Sequence, residues 1–320
     1  MNFSPIIIVA GEPQSIFLEI FFKATKKKIR NPIILISSKV ILKKNAEKFK
    51  KNLKLNELDK DFSNIKKDKI NLVNVNYDKF SFSKKKITNI SNLYLKKSFN
   101  KALEIIKKKG CSGFINGPIS KKSFLKGKYK GITEYLAKKT NSKNPVMLIY
   151  NKKLAVSPLT THMPISKVSK NIKKKDIIIK IKKIDNFYRK YLKKRPRFAI
   201  TGLNPHCESF EKENKEKKEI IPAIRFLKKN RINIIGPFAA DTIFLKDNVK
   251  KFDVIFGMYH DQVLGPMKTL HGFDAINITL GLPFIRISPD HGPNVQMLGK
   301  NKSNPKSLIE SLLFLKKYGI

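Results

Sequence analysis

Acidic residues are scarce in this sequence. Of 320 residues, 24 are Asp or Glu against 68 Lys or Arg, a formal net charge of +44 at pH 7. Cysteine is scarcer still, with Cys111 and Cys207 the two in the chain. They offer no disulfide framework and no CxxC motif, so a reducing cytoplasm is the expected home. No apolar stretch reaches the roughly 18 residues that a membrane helix needs. The opening MNFSPIIIVAGEP has no basic leading segment, and its apolar run is too short for a signal peptide. It reads as a first strand. There is no GxGxxG and no Walker loop, which argues against a standard dinucleotide or P-loop site. Repeats of roughly 20–50 residues are absent, and no long Gly/Ser or Pro linker cuts the chain.

The positive excess admits two readings. Phosphate backbones reward dense positive charge, which would suggest a nucleic-acid binder. The lysines, however, are spread along almost the whole chain, and arginine, the better bidentate contact, is scarce beside lysine. We therefore expect a compositional bias toward Lys, Asn and Ile with the lysines on solvated faces. No nucleic-acid or membrane partner is expected, and the charge would steer anionic small ligands inward.

Short β-like runs alternate with helical stretches. Pro5–Ala10 is apolar and ends in the turn Gly-Glu-Pro, and Ile70–Asn76 is short and β-branched. Leu95, Phe99, Ala102, Leu103 and Ile106 recur at helical spacing, with Gly110 as a stop. Gly113-Phe-Ile-Asn-Gly-Pro reads as a buried strand and turn. A last helix follows Asn304-Pro305, with Pro at its first position. Such alternation predicts an α/β fold with a largely parallel sheet. The stretches 42–69 and 207–219 read as solvated helices or loops.

Five histidines are present, and three occupy similar places. His162 follows the run from Lys153, His206 the run from Arg197, and His260 the run from Phe252. Each run reads as a core strand. In open α/β sheets ligands bind outside the carboxyl ends of the strands. Any one of these residues alone reads more readily as an ordinary loop or satisfied core histidine. Three at the same topological position suggest a shared divalent metal with an open coordination position, for which neutral imidazole suits zinc as well as cobalt, iron, nickel and manganese. Downstream, Lys268, Asn277 and Arg286 fall in a turn-rich segment and form a candidate phosphate or carboxylate site. Asp290, His291 and Gly292, followed by Pro293, form a turn that would bring backbone close to a cofactor.

These motifs resemble a known family. MYHDQ, NITLGLPFIR and the Ser-Pro-Asp-His-Gly turn resemble segments of the 4-hydroxythreonine-4-phosphate dehydrogenases, enzymes of vitamin B6 synthesis. TTHMPI, TGLNPH, FINGPISK, GPFAADT and the opening GEPQSIFLE resemble further segments in the same order, from about residue 8 to about residue 315. The resemblance implies two α/β subdomains with a cleft, as in the isocitrate and isopropylmalate dehydrogenases, with approximate limits 1–115 plus 287–320 and 116–286. It also implies NAD, with NADP the alternative, bound without a Rossmann fingerprint. A homodimer with active sites at its interface would be expected.

By the same resemblance His162, His206 and His260 correspond to metal ligands, with zinc first and cobalt, manganese or magnesium as alternatives. Thr133, Lys268, Asn277 and Arg286 correspond to substrate-binding residues. The implied reaction is oxidation of 4-phosphohydroxy-L-threonine, then decarboxylation to 3-amino-2-oxopropyl phosphate. Lys268 and Arg286 would offset substrate charge, and Asp241 or Asp261 would assist proton transfer or orient a histidine. A related phosphorylated hydroxy acid, 4-phospho-threonate or 4-phospho-erythronate, is the alternative substrate, and a metal- and ligand-binding relative without turnover is a further alternative.

The sequence departs from the family at defined places. Ile132 stands where the family has His before Thr133. Ser15, Phe17 and Leu18 replace two glycines and a proline of the first loop. Cys207-Glu-Ser-Phe-Glu replaces a glycine-rich stretch, and Pro293-Asn294 follow the Asp-His-Gly turn.

Overall fold

The computed structural model describes residues 4–25, 31–83, 90–125, 129, 131–208, 214–272, 274–289 and 291–319. The chain divides into two compact units, residues 1–140 with 282–320, and residues 141–281.

The first unit opens with β1 (Ile6–Val9), α1 (Phe17–Ala24), β2 (Ile33–Ser37) and α2 (Lys39–Lys48). It continues through β3 (Leu55–Glu57), β4 (Ile70–Asn74), α3 (Ile90–Lys109), β5 (Gly113–Asn116) and α4 (Ile132–Lys139). The second unit holds β6 (Val146–Tyr150), β7 (Ala155–Thr160), α5 (Lys174–Phe187), β8 (Phe198–Thr201) and α6 (Ile221–Lys229). It continues through β9 (Ile234–Phe238), α7 (Lys246–Val249), β10 (Val254–Tyr259), α8 (His260–His271) and β11 (Ile276–Leu280). The chain then returns to the first unit with β12 (Arg286–Pro289) and α9 (Lys306–Tyr318).

In the first unit the strand order is β3-β4-β2-β1-β5-β12, and every pairing is parallel. Ile6–Val9 is buried without interruption, as expected for a strand covered on both faces. α3 ends as its pattern predicts, with Gly110 at φ +69 just beyond its last residue. In the second unit the order is β11-β6-β7-β10-β8-β9. Here β6 runs antiparallel to both β7 and β11, while β7, β10, β8 and β9 are mutually parallel. Ile149, Val156, Ala199, Phe252, Ile255 and Val263 form its core.

Several expectations need correction. Residues 116–140 belong to the first unit, not the second, and there Phe124 stacks on Phe99 of α3 while Tyr135 meets it edge to face. The segment read as turn-rich is mostly regular: Lys268 lies on α8, Asn277 on β11 and Arg286 on β12. Gly265 and Pro266 suggested turns, yet both lie within α8. The stretch 42–69 contains β3, and the stretch 207–219 is not simply solvated, since Asn214, Lys215 and Glu216 are buried. Pro305 caps the last helix, which begins at Lys306.

Candidate functional site

Four neighbouring parallel strands of the second unit carry four candidate residues at their carboxyl ends. His162 follows β7, His260 follows β10, His206 follows β8 and Asp241 follows β9. The register places Thr160 opposite Tyr259, so His162 and His260 leave the sheet side by side. Their ring centroids are 6.1 Å apart. The Thr160 hydroxyl donates to the Met258 carbonyl at 2.8 Å and ties these two strand ends together.

His260 is half-buried at the start of α8, and its Nδ1 lies 2.8 Å from Oδ1 of the exposed Asp261. A carboxylate on one ring nitrogen favours the tautomer with its proton there and leaves Nε2 as the acceptor atom. His162 and His206 are exposed, and both take left-handed backbone, φ +49 and +53. That conformation costs a non-glycine residue about 1–2 kcal/mol, and such outliers gather at functional sites. Burial pushes the Cys207 thiol up, and the negative charges of Glu216, Asp241 and Glu208 add to the shift. Asp241 therefore lies in the electrostatic neighbourhood of the His206 loop.

Among the described residues, no three His, Cys, Asp or Glu side chains are arranged so that they could hold a metal ion, so His206 does not join His162 and His260 in one ligand set here. The structure brings His162 and His260 together and carries His206 on the next strand. The donor set, paired imidazoles with a carboxylate partner on one, fits a divalent ion of the borderline kind. Also in this unit, Lys268 is exposed on α8, with its pKa lowered by desolvation. On β11, Asn277 has a buried Oδ1 that meets no hydrogen-bond donor among the described residues. An orphaned buried acceptor fits a position that a ligand completes.

The first unit holds the rest. Arg286 is 1% exposed. Its Nε donates to Asn116 Oδ1 at 2.7 Å and its Nη1 to Thr133 Oγ1 at 3.3 Å. Desolvation draws its pKa down to about 9 while Glu134 opposes the shift, so the guanidinium stays cationic at neutral pH. Lys268, Asn277 and Arg286 are thus divided between the two units.

Three turns of the first unit meet at the ends of β1, β5 and β12. The Glu12 N–H donates to the Pro118 carbonyl at 2.8 Å, and the Ile16 N–H to the Pro293 carbonyl at 3.1 Å. Gly11, at φ +82, makes the first contact possible, because a Cβ there would collide with Pro118. Phe17 stacks on His291 with centroids 6.3 Å apart and planes at 26°. The first loop and the turn that holds His291 and Pro293 therefore pack on one another. His291 Nδ1 lies 3.0 Å from the Gly292 carbonyl, burial lowers the ring's pKa, and Nε2 is buried with no partner among the described residues. A neutral imidazole with one orphaned nitrogen, beside an exposed Gly292, suits a cofactor amide or hydroxyl. Asp290 lies outside the described residues. Glu12, 2% exposed, has its pKa raised to about 7 by burial, with Ser91 opposing.

Sequence reasoning missed Asn116, Glu134, Gln262 and Glu216. Asn116 and Gln262 lay inside quoted motifs, and position alone gave them no role. Glu216 was hidden in a lysine-rich run.

A family model described as pyridoxal phosphate biosynthetic protein PdxA matches residues 28–314. The chain belongs to the PdxA family. Among relatives of this PdxA-family chain, the 4-hydroxythreonine-4-phosphate dehydrogenase of Sulfurihydrogenibium sp. (strain YO3AOP1) is 37% identical over 316 residues, 96% of each chain. The D-threonate 4-phosphate dehydrogenase of Pectobacterium atrosepticum is 36% identical over 185 residues, 58% of this chain and 57% of that protein. The crystal structure of a 4-hydroxythreonine-4-phosphate dehydrogenase from Burkholderia phymatum covers 100% of both chains at 24% identity, with a TM-score of 0.81. An isocitrate dehydrogenase from Methylococcus capsulatus shares the fold more distantly, at 12% identity and a TM-score of 0.50 over 98% of this chain and 85% of that one. The fold expected from the motifs is the one observed. No described helix is long and apolar enough to cross a membrane.

Proposed function

We propose that this PdxA-family chain is a nicotinamide- and metal-dependent dehydrogenase acting on 4-phosphohydroxy-L-threonine in pyridoxal phosphate synthesis. One observation carries the reading: His162 and His260 leave adjacent parallel strands with their rings 6.1 Å apart, and His206 leaves the next strand. His162, His206 and His260 would hold the metal. Zinc is the first expectation and cobalt, manganese and magnesium the alternatives. When bound, the ion supplies Lewis acidity toward the substrate hydroxyl and toward the ketone formed from it. His291 and Gly292, braced by Phe17 and the Pro293 carbonyl, would receive NAD, or NADP in its place.

The residues of the chain divide the remaining work. Arg286, a desolvated cation, and Thr133 would bind substrate anion in the first unit. Lys268 and the unpaired Asn277 Oδ1 would contact substrate in the second. A bound nicotinamide would supply the acceptor for the C3 hydrogen as hydride, and a protein base would take the hydroxyl proton. The resulting β-keto acid loses CO2, and the electron pair left on carbon is taken up with a proton. Asp261 is engaged with His260 and acts as its orienter. Asp241 and Lys268, whose pKa is lowered, are the residues for proton transfer.

A second substrate has one observation in its favour. Ile132 opens α4 directly before Thr133, and its apolar side chain would leave a substrate ammonium unpartnered there, which costs more than leaving a neutral hydroxyl so. A 4-phosphorylated threonate or erythronate, which lacks the amine, is therefore the alternative. NADH formation with each of the three compounds, across a panel of divalent metals and with His206→Ala as control, tests both readings. Metal-dependent turnover of 4-phosphohydroxythreonine that vanishes in the control supports the first. Turnover confined to threonate or erythronate phosphate transfers the assignment, and metal binding without turnover of any compound removes the dehydrogenase reading.

The functional assembly is proposed to be a homodimer, working in the cytoplasm, as the family resemblance implies. Sedimentation of the purified chain tests the dimer.

A further inference from the structure

Between the end of β8 and His206 the backbone is held by two buried side chains from elsewhere in the second unit. Gln262, on the first turn of α8 and 8% exposed, uses its amide in three directions. Its Oε1 accepts from the Thr201 hydroxyl at 2.8 Å and from the Met258 N–H at 2.7 Å, while its Nε2 donates to the Gly202 carbonyl at 2.8 Å. Glu216, 1% exposed, accepts the Leu203 and Asn204 N–H groups on Oε1 at 2.8 and 2.9 Å, and Asn204 Nδ2 on Oε2 at 3.0 Å. Gly202 leaves the room for this, since a Cβ there would lie 3.1 Å from Glu216 Oε1 and 2.8 Å from Cys207 Sγ.

Burying a carboxylate and an amide is costly unless they are partnered, and here each side-chain oxygen and nitrogen of both has a hydrogen-bond partner. The partners are not scattered. They are the consecutive residues 201–204, separated from His206 by Pro205 alone, together with Met258, two residues before His260. One side chain thus joins the strand ends that bear two of the three histidines. A second fixes the loop between that joint and His206, whose own φ of +53 leaves little freedom.

We propose that Gln262 and Glu216 are positioning residues for the metal: they set the His206 loop against the His162–His260 pair before any ion arrives. The inference rests on the metal assignment made under Proposed function. Ordering a loop residue costs about 1–2 kcal/mol, so a loop already ordered spares binding that cost. Outer partners of metal ligands typically govern affinity by about 10–100-fold.

The test measures Co2+ affinity by competition with a chromophoric chelator, and the visible spectrum of the Co2+ protein, for wild type, Gln262→Ala and Glu216→Ala. Weakening of about 10–100-fold with an altered spectrum is expected in both variants. Thr201→Val removes one bond to Gln262 at similar volume and carries the test if the alanine variants do not fold. It should weaken Co2+ by about 2–10-fold. A purely structural role would lower the melting temperature and leave affinity and spectrum of the folded protein unchanged, and that result overturns the proposal. Failure of the wild type to bind Co2+ is a different result, which removes the metal reading itself and this inference with it.

Discussion

Arg286 and the three candidate metal histidines illustrate opposite ways of preparing a site. In the first unit folding has taken a full positive charge out of water and committed two of its nitrogens to Asn116 and Thr133. In the second unit folding leaves the imidazoles exposed or half-buried at strand tips and constrains the backbone behind them. A desolvated cation is complete before its ligand arrives, and its attraction is strengthened by low local dielectric. Exposed ligands are completed only by an ion, so their quality depends on how well their loops are held.

Removing one imidazole is the sharpest way to break this comparison. His260→Ala should lower metal affinity by more than about 100-fold, beyond the range for an outer partner, and reduce metal-dependent NADH formation to background. The metal-free protein should melt close to wild type, because the residue lies at a strand tip rather than in the core, within roughly 0.5 kcal/mol. Metal affinity equal to wild type would remove His260 from the site.

Glu12 shows that desolvation in the first unit also has a cost. Its folded pKa, about 7, lies above the ordinary value of 4.5. Between those values the native state holds a proton that the unfolded chain releases, so the stability contribution of Glu12 falls as pH rises through this window. Glu12→Gln cannot ionise. Its stability relative to wild type should be independent of pH below about 4.5 and increase toward pH 7 by on the order of 3 kcal/mol. Urea unfolding of both proteins at about pH 5 and pH 8 reads this directly. A gap that is the same at both pH values would show Glu12 ionising normally.

Arg286→Lys probes the same unit at the level of binding. Lysine keeps the charge but lacks the planar fork that reaches Asn116 and Thr133 together. Charge-assisted bonds of this kind are worth about 1.5–3 kcal/mol, so KM for the phosphorylated substrate should rise about 10–100-fold with a smaller change in kcat. An unchanged KM would mean that Arg286 serves the fold and not the substrate.

What the sequence displayed depended on whether a role was carried by chain direction or by long-range packing. His162, His206 and His260 were legible because each ends an apolar run, and strand ends in α/β folds share one edge. Their order across β7, β10 and β8 was not, since the register joins segments far apart in the sequence. Lys268, Asn277 and Arg286 looked like one turn-borne cluster because Gly265, Pro266 and Gly272 mimic turns, whereas tertiary packing keeps Pro266 inside α8. Glu216 was invisible for a different reason: its three donors, Leu203 N, Asn204 N and Asn204 Nδ2, lie across a loop, and nothing in a lysine-rich run signals a buried carboxylate.

The mildest perturbation concerns the place where the two substituted turns touch. Phe17 replaces a small residue of the family's first loop, and its ring lies against His291. If the substitution merely fills space, leucine should serve as well. If the stack aims His291 at the cofactor, Phe17→Leu should forfeit the geometric part of an aromatic pair, about 0.5–1.5 kcal/mol. That corresponds to a rise of about 2–10-fold in KM for NAD, with kcat and metal affinity near wild type. The result separates the regions once more, because a change confined to the cofactor would place the fault in the first unit and leave the histidine loops of the second untouched. An unchanged KM for NAD would show that Phe17 merely fills space beside His291.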